Sequence, residues 1–192
     1  MADIKSALEM ALERAAQFGK ATKEELAEAQ YREQGQHLGV RYLKEEGDLE
    51  AELRNFPDQA QPALRAAVKE ALLRSVILPR NGEPDPHLAK AMEGLLLVAH
   101  DRKVMAQLKG ELEKLLQNFS QVRTSAFQQL KARFGANIGN VQRAMEAQLR
   151  QKVKLEVEQL PQFQEEWRKF MGQLTEQFEP VLAEYKARIM TA

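Results

Sequence analysis

Residues 105–126 read MAQLKGELEKLLQNFSQVRTSA, and their spacing decides the fold. Apolar side chains fall at Met105, Leu108, Leu112, Leu115, Phe119, Val122 and Ala126, in steps that alternate between three and four. An α-helix turns once in ~3.6 residues, so such a series stays on one side of it and offers a seam to a second helix. Upstream, Leu88, Met92, Leu95, Leu96 and Ala99 form a broader stripe. No proline interrupts the chain between Pro86 and Phe134. A single helix over that stretch is expected, about 73 Å long at ~1.5 Å per residue.

Downstream the seam continues through Phe127, Leu130 and Phe134 and then meets Gly135-Ala136-Asn137-Ile138-Gly139-Asn140. Two glycines and two asparagines so close together suit a tight helix–helix connection, with Asn140 as the cap of a new helix. That helix carries Val141, Met145, Leu149, Val153, Val157 and Leu160, and Pro161 breaks or kinks it. A final helix holds the densest aromatic stripe: Phe163, Trp167, Phe170, Leu174 and Phe178, with Val181, Leu182, Tyr185 and Ile189 beyond Pro180. The expected fold is therefore all-α: a long antiparallel helical hairpin, Leu88–Phe134 against Val141–Ile189, with shorter N-terminal helices. A break near His100-Asp101, or at Gly110, would give a more compact bundle instead.

Toward the N-terminus, Asp3 caps an amphipathic stretch whose apolar face is Ile4, Ala7, Leu8, Ala11, Leu12 and Ala15, closed by Gly19. A helix this short is marginal alone, so Ile4, Leu8 and Leu12 are expected to dock, on the chain's own core or in a partner's groove. Thr22 with Glu25 forms a capping box, opening an acidic helix expected to reach Glu46 and stop at Gly47. Within it Gly35 and Gly39 lie one turn apart, a spacing that permits close approach of another helix. Asp48 to Phe56 reads as a short helix ended by Pro57. Gln61-Pro62 starts another, lined by Leu64, Ala67, Val68, Ala71, Leu72 and Ile77. The run Pro79-Arg80-Asn81-Gly82-Glu83-Pro84-Asp85-Pro86 is the clearest loop in the chain. It divides an N-terminal segment, residues 1–79, from a C-terminal one, residues 86–192.

The opening Ile4-Lys5-Ser6-Ala7-Leu8-Glu9-Met10-Ala11-Leu12-Glu13-Arg14 resembles the start of a group of uncharacterised bacterial helical proteins. The resemblance implies a helical fold and carries no activity with it.

Composition narrows the function. With 44% hydrophobic and 29% charged residues the chain can build a core and is not disordered throughout. Cysteine is absent, which removes disulfides, thiolate metal sites and cysteine nucleophiles together. The longest purely apolar run, Leu95 to Ala99, is far below the ~20 residues of a membrane span, so a soluble cytoplasmic protein is expected. Helical di-metal sites place a glutamate three residues before a histidine. Before His37, His87 and His100 those positions hold Gln34, Pro84 and Leu97, so no metal site is expected. Neither a phosphate-binding glycine loop nor a nucleophile elbow is present, and no cofactor, small-molecule substrate or enzymatic activity is expected.

Charge is the one asymmetry. The 28 basic and 28 acidic residues balance, so no net field draws the chain to nucleic acid or membrane. Yet residues 121–154 hold Arg123, Lys131, Arg133, Arg143, Arg150, Lys152 and Lys154 against Glu146 alone. Residues 22–58 hold ten acids against five bases. With a turn at Ala136 the basic group would converge on the hairpin's tip. Three uses compete there: binding nucleic acid, docking an acidic protein surface, or neutralisation by the acidic segment of this chain or a second copy. Long seams and the lack of a chemical constellation favour a non-enzymatic scaffold or adaptor that binds protein partners and self-associates. Nucleic-acid binding through the basic tip is the alternative.

Overall fold

The computed structural model describes residues 23–79, 85–149 and 155–192. Among them every regular element is helical, as the spacing of apolar residues in threes and fours predicts. The helices are α1 (Lys23–Leu43), α2 (Leu49–Leu53), α3 (Gln61–Leu73), α4 (Leu88–Val98), α5 (Arg102–Leu149) and α6 (Pro161–Thr191), with 3₁₀ turns at Asp58–Ala60 and Val157–Gln159. The chain forms two compact units, one up to Val68 and one from Lys69 onward. The division falls inside α3. Ile4, Leu8 and Leu12 lie outside the described residues, as do Thr22 and its half of the capping box.

In the first unit, α1 ends at Leu43 rather than at Glu46, and the residue that stops it is Glu45, not Gly47. Glu45 adopts a left-handed φ of 60°, the Glu46 amide donates to the Arg41 carbonyl and the Glu45 amide to that of Tyr42. These two bonds satisfy the last carbonyls of the helix in a Schellman arrangement. Asp48 then caps α2, its carboxylate accepting from the Glu50 and Ala51 amides at 3.0 and 3.2 Å. Gln61 opens α3 and reaches back so that its Nε2 donates to the Leu53 carbonyl at 2.6 Å, closing the C-terminal end of α2. The core is Leu38, Tyr42, Leu49, Leu53, Ala60, Leu64, Ala67 and Val68. Gly35 is buried against α3, close enough that its missing side chain is what admits the Leu64 backbone.

In the second unit the expected Pro86–Phe134 helix is broken. Ala99 is extended (φ −63°, ψ 143°), and Asp101 starts a new helix by accepting from the Lys103 and Val104 amides at 2.8 and 3.1 Å. The amides of His100 and Asp101, freed by the break, donate to the Ala192 carbonyl at 2.8 and 3.0 Å. The amides at the start of α5 thereby find partners, which offsets part of the cost of interrupting the helix. Ahead of α4, the end of α3 and the chain beyond it bury Ala71, Leu72, Leu73, Val76 and Leu78, while Ile77, expected in the core, is half-exposed.

Helices α5 and α6 are the antiparallel hairpin. Phe119 meets Phe178, Phe127 meets Trp167, and Phe134 meets Phe163, so partners rise along one helix as they fall along the other. Arg188 reaches Glu111 at 3.4 Å near the open end. The turn expected at Gly135–Asn140 is not there: α5 runs through it without interruption to Leu149, about 72 Å in all at ~1.5 Å per residue. The reason lies in packing. Phe134 and Ile138, on either side of Gly135, both pack on a cluster of Val157, Leu160 and Phe163, so leaving the helix there would cost more than two glycines do. Val157 and Leu160, expected on a helix, belong to a short extended and 3₁₀ segment running back along α5. Pro161 does not kink a helix but opens α6, at the first position where its missing N–H is harmless. Pro180 sits inside α6, which continues through it.

Candidate binding groove on the helical hairpin

The buried line of α5 differs from the heptad read in the sequence. Met105, Leu108, Leu112, Leu116 and Phe119 are buried, and Phe127, Leu130, Phe134 and Ile138 continue the line. With Arg123 between Phe119 and Phe127 this series advances about 3.7 residues per step, close to the period of a straight helix, where a heptad advances 3.5. The heptad positions Leu115, Val122 and Ala126 consequently drift off the contact. Leu115 and Ala126 are half-buried and Val122 is 37% exposed.

The last of them, Ala126, borders a groove of about 370 Å³ along one flank of the hairpin, lined also by Gln129, Leu130, Arg133, Glu166, Trp167 and Phe170. Trp167 and Phe170 stack, with centroids 5.7 Å apart and planes 20° apart, and form its α6 wall. Phe127 closes on Trp167 edge-on at 5.0 Å, fixing the indole. The Arg123 guanidinium lies 5.5 Å from the centroid of the same ring, a cation–π contact. Arg133 and Glu166 form an ion pair across the rim. Further out, Lys131 pairs with Glu158. The hydrogen bond from Lys131 and one from the backbone hold the Glu158 carboxyl below its usual pKa.

The four described members of the basic group expected at one tip are therefore not gathered there. Arg123, Lys131, Arg133 and Arg143 are strung along α5 over about 30 Å, at ~1.5 Å per residue, because the chain does not turn at Ala136. Arg123 is engaged by Trp167, Lys131 by Glu158 and Arg133 by Glu166. The Arg143 Nε donates to the Gly139 carbonyl one turn back, at 3.1 Å. Arg150, Lys152 and Lys154 lie outside the described residues. Trp167 and Phe170 read in the sequence as core. Their place at the foot of a groove was signalled only by Glu166 and Arg133, whose charges flank them.

A second cleft, of about 440 Å³, lies in the first unit between Glu24, Ala27, Glu28 and Tyr31 of α1 and Gln59, Pro62 and Ala63. Among the described residues, His, Asp and Glu side chains nowhere cluster in threes as a metal ion needs, and no helix is long and apolar enough to cross a membrane.

A family model, described as a family of unknown function (DUF6657), matches residues 50–191. The chain belongs to this family. No curated protein and no solved structure matches it. The matched residues of this DUF6657 protein take in the whole hairpin and its groove. They begin beyond the Ile4–Arg14 stretch and beyond the α1 wall of the second cleft.

Proposed function

We propose that this DUF6657 protein is a non-enzymatic, cytoplasmic helical scaffold or adaptor that binds protein partners, itself among them, through the flank of its hairpin. The observation that carries the reading is the groove at Trp167 and Phe170: two stacked aromatic rings facing Ala126 and Leu130 of α5, beside a charged rim. Aromatic side chains and arginine beside an apolar strip are what protein-binding surfaces are enriched in. The lack of catalytic or phosphate-binding motifs supports a binding role.

The test is affinity capture with the full chain as bait, wild type beside Ala126→Glu, which places a charge in the groove. The reading expects specific partners captured by the wild type and lost with the variant. An identical set of captured proteins from both baits would refute it.

Nucleic-acid binding draws its support from the seven-to-one basic excess between residues 121 and 154. The ion pairs of Lys131 and Arg133 argue against it, since a phosphate would have to displace carboxylates already in place. Its test is a gel shift at low salt, where no retarded DNA or RNA would eliminate it.

A further inference from the structure

Helix α5 carries two adjoining apolar stripes and its partner α6 uses only one. The stripe Leu116, Phe119, Phe127 and Phe134 packs inside the hairpin, and Leu130 on the same line also reaches the groove. The stripe Leu115, Val122 and Ala126 is at heptad spacing and is left on the flank, where Ala126 meets the groove of Trp167 and Phe170. Val181, 39% exposed, lies three turns along α6 from Phe170 and level with Leu115 in the antiparallel register, which extends the same face. Besides α6, α5 packs on α4, yet Val122 stays 37% exposed and Ala126 opens on the groove; a helix in a four-helix bundle needs such a wider apolar arc.

We infer that this face binds a second copy of the chain, two hairpins joining about a two-fold axis into a four-helix bundle. The inference rests on the scaffold reading and assigns its first partner. Two features select a second copy. The first is charge. Arg133 and Glu166 stand side by side on the rim, 62% and 46% exposed, so the patch carries both members of an ion pair. An isologous contact brings each copy's Arg133 to the other's Glu166 without placing like charges together, and a chain of net charge zero does not repel its own kind. The second is size. From Leu115 to Arg133 the helix runs about 27 Å, and two helices abreast are about 20 Å wide, giving about 540 Å² per copy. Two copies together bury about 1,100 Å², just above the ~1,000 Å² that separates specific interfaces from incidental ones. An interface of that size at the low end of the range makes the dimer reversible.

The experiment is sedimentation velocity of the full chain through the micromolar range, read beside the emission of Trp167, the chain's one tryptophan. A monomer–dimer equilibrium is expected, with the emission moving to shorter wavelength as the dimer forms. Ala126→Glu and Val122→Lys should each weaken dimerisation at least tenfold while circular dichroism and melting of the monomer stay as in the wild type. The deciding arm uses Arg133→Glu and Glu166→Arg. Each alone should be monomeric, since it spoils both the internal pair and the contact between copies. Mixed in equal amounts they should dimerise, because every contact between copies is restored while every internal pair stays mismatched. A wild type that is monomeric throughout overturns the inference and leaves the scaffold reading to its own capture experiment. So does a dimer indifferent to Ala126→Glu and Val122→Lys, or a mixture that stays monomeric.

Discussion

Phe134 meets Phe163 edge to face, ring centroids 5.8 Å apart and planes at 82°. Between them in sequence lie Gly135–Asn140 and the rest of α5 as far as Leu149, so the long helix passes the point of contact and runs on. Phe163 also touches Phe127 at 5.6 Å and is 2% exposed, which makes it the residue on which the returning chain is pinned. Phe163→Ala is expected to cost about 3–4 kcal/mol, the loss of a buried ring plus the cavity it leaves. Phe170→Ala, a half-exposed ring on the groove wall, should cost less than half of that. Urea unfolding of the two variants checks the order, and equal losses would mean that Phe163 is not the pin.

Glycines inside a helix should improve on replacement by alanine, and glycines in a turn should not. Gly139 has nothing within 4 Å of where a Cβ would stand, and at Gly135 the nearest atom is the Val157 Cγ2 at 3.9 Å. Both Gly139→Ala and Gly135→Ala are expected to stabilise the protein by about 0.5–1 kcal/mol, through helix propensity and a less free unfolded chain. Thermal melting reads the effect. A loss of stability in either would restore the tight turn that the residue types suggest.

That stretch shows what local sequence conveys and what it does not. The helical class, the short helix capped by Asp48 and the burial of Met105, Leu108, Leu112 and Phe119 follow from spacing and capping, which act between near neighbours. The continuity of α5 does not, because glycine and asparagine state only a local preference of ~1 kcal/mol or less. It is overruled by the burial of Phe134 and Ile138 against Val157, a contact no local signal announces. The break at Ala99 was legible as one alternative, since His100-Asp101 offers a cap, but the Ala192 carbonyl that stabilises it was not. The groove escaped for a related reason. A heptad and a 3.7-residue step drift apart by only about 0.2 residue per step, yet from Met105 that is enough to exchange Leu115 for Leu116 at the third step and to leave the later heptad positions on the flank.

Glu158 links stability to acid. Its carboxyl is held below the usual value of 4.5 mainly by the hydrogen bond from Lys131. A group whose pKa is lowered by folding contributes stability above its unfolded value and loses that contribution as pH falls through the folded one. Glu158→Gln should therefore be less stable than the wild type at neutral pH and indistinguishable from it once the pH is well below 4.5. Because the pair is exposed, added salt should shrink the neutral difference as well. Denaturant midpoints at the two pH values measure it, and a difference that persists unchanged in acid would break the link to Lys131.

Gly35 poses the opposite case to Gly139. A Cβ there would stand 2.6 Å from the Leu64 carbonyl oxygen and 2.8 Å from the Ala67 Cβ. The first of these is backbone and cannot swing aside, so α1 and α3 would have to separate. Overpacking of this kind costs roughly 1–3 kcal/mol, against a gain of ~1 kcal/mol from replacing a helical glycine. The steric term wins, and Gly35→Ala is expected to lower stability by about 1–2 kcal/mol. Gly110→Ala and Gly172→Ala, where nothing lies within 4 Å, carry the propensity gain without the clash and should be stabilised. Melting the three variants side by side separates packing from propensity. If all three rose together, the close approach of α1 and α3 at Gly35 would be dispensable.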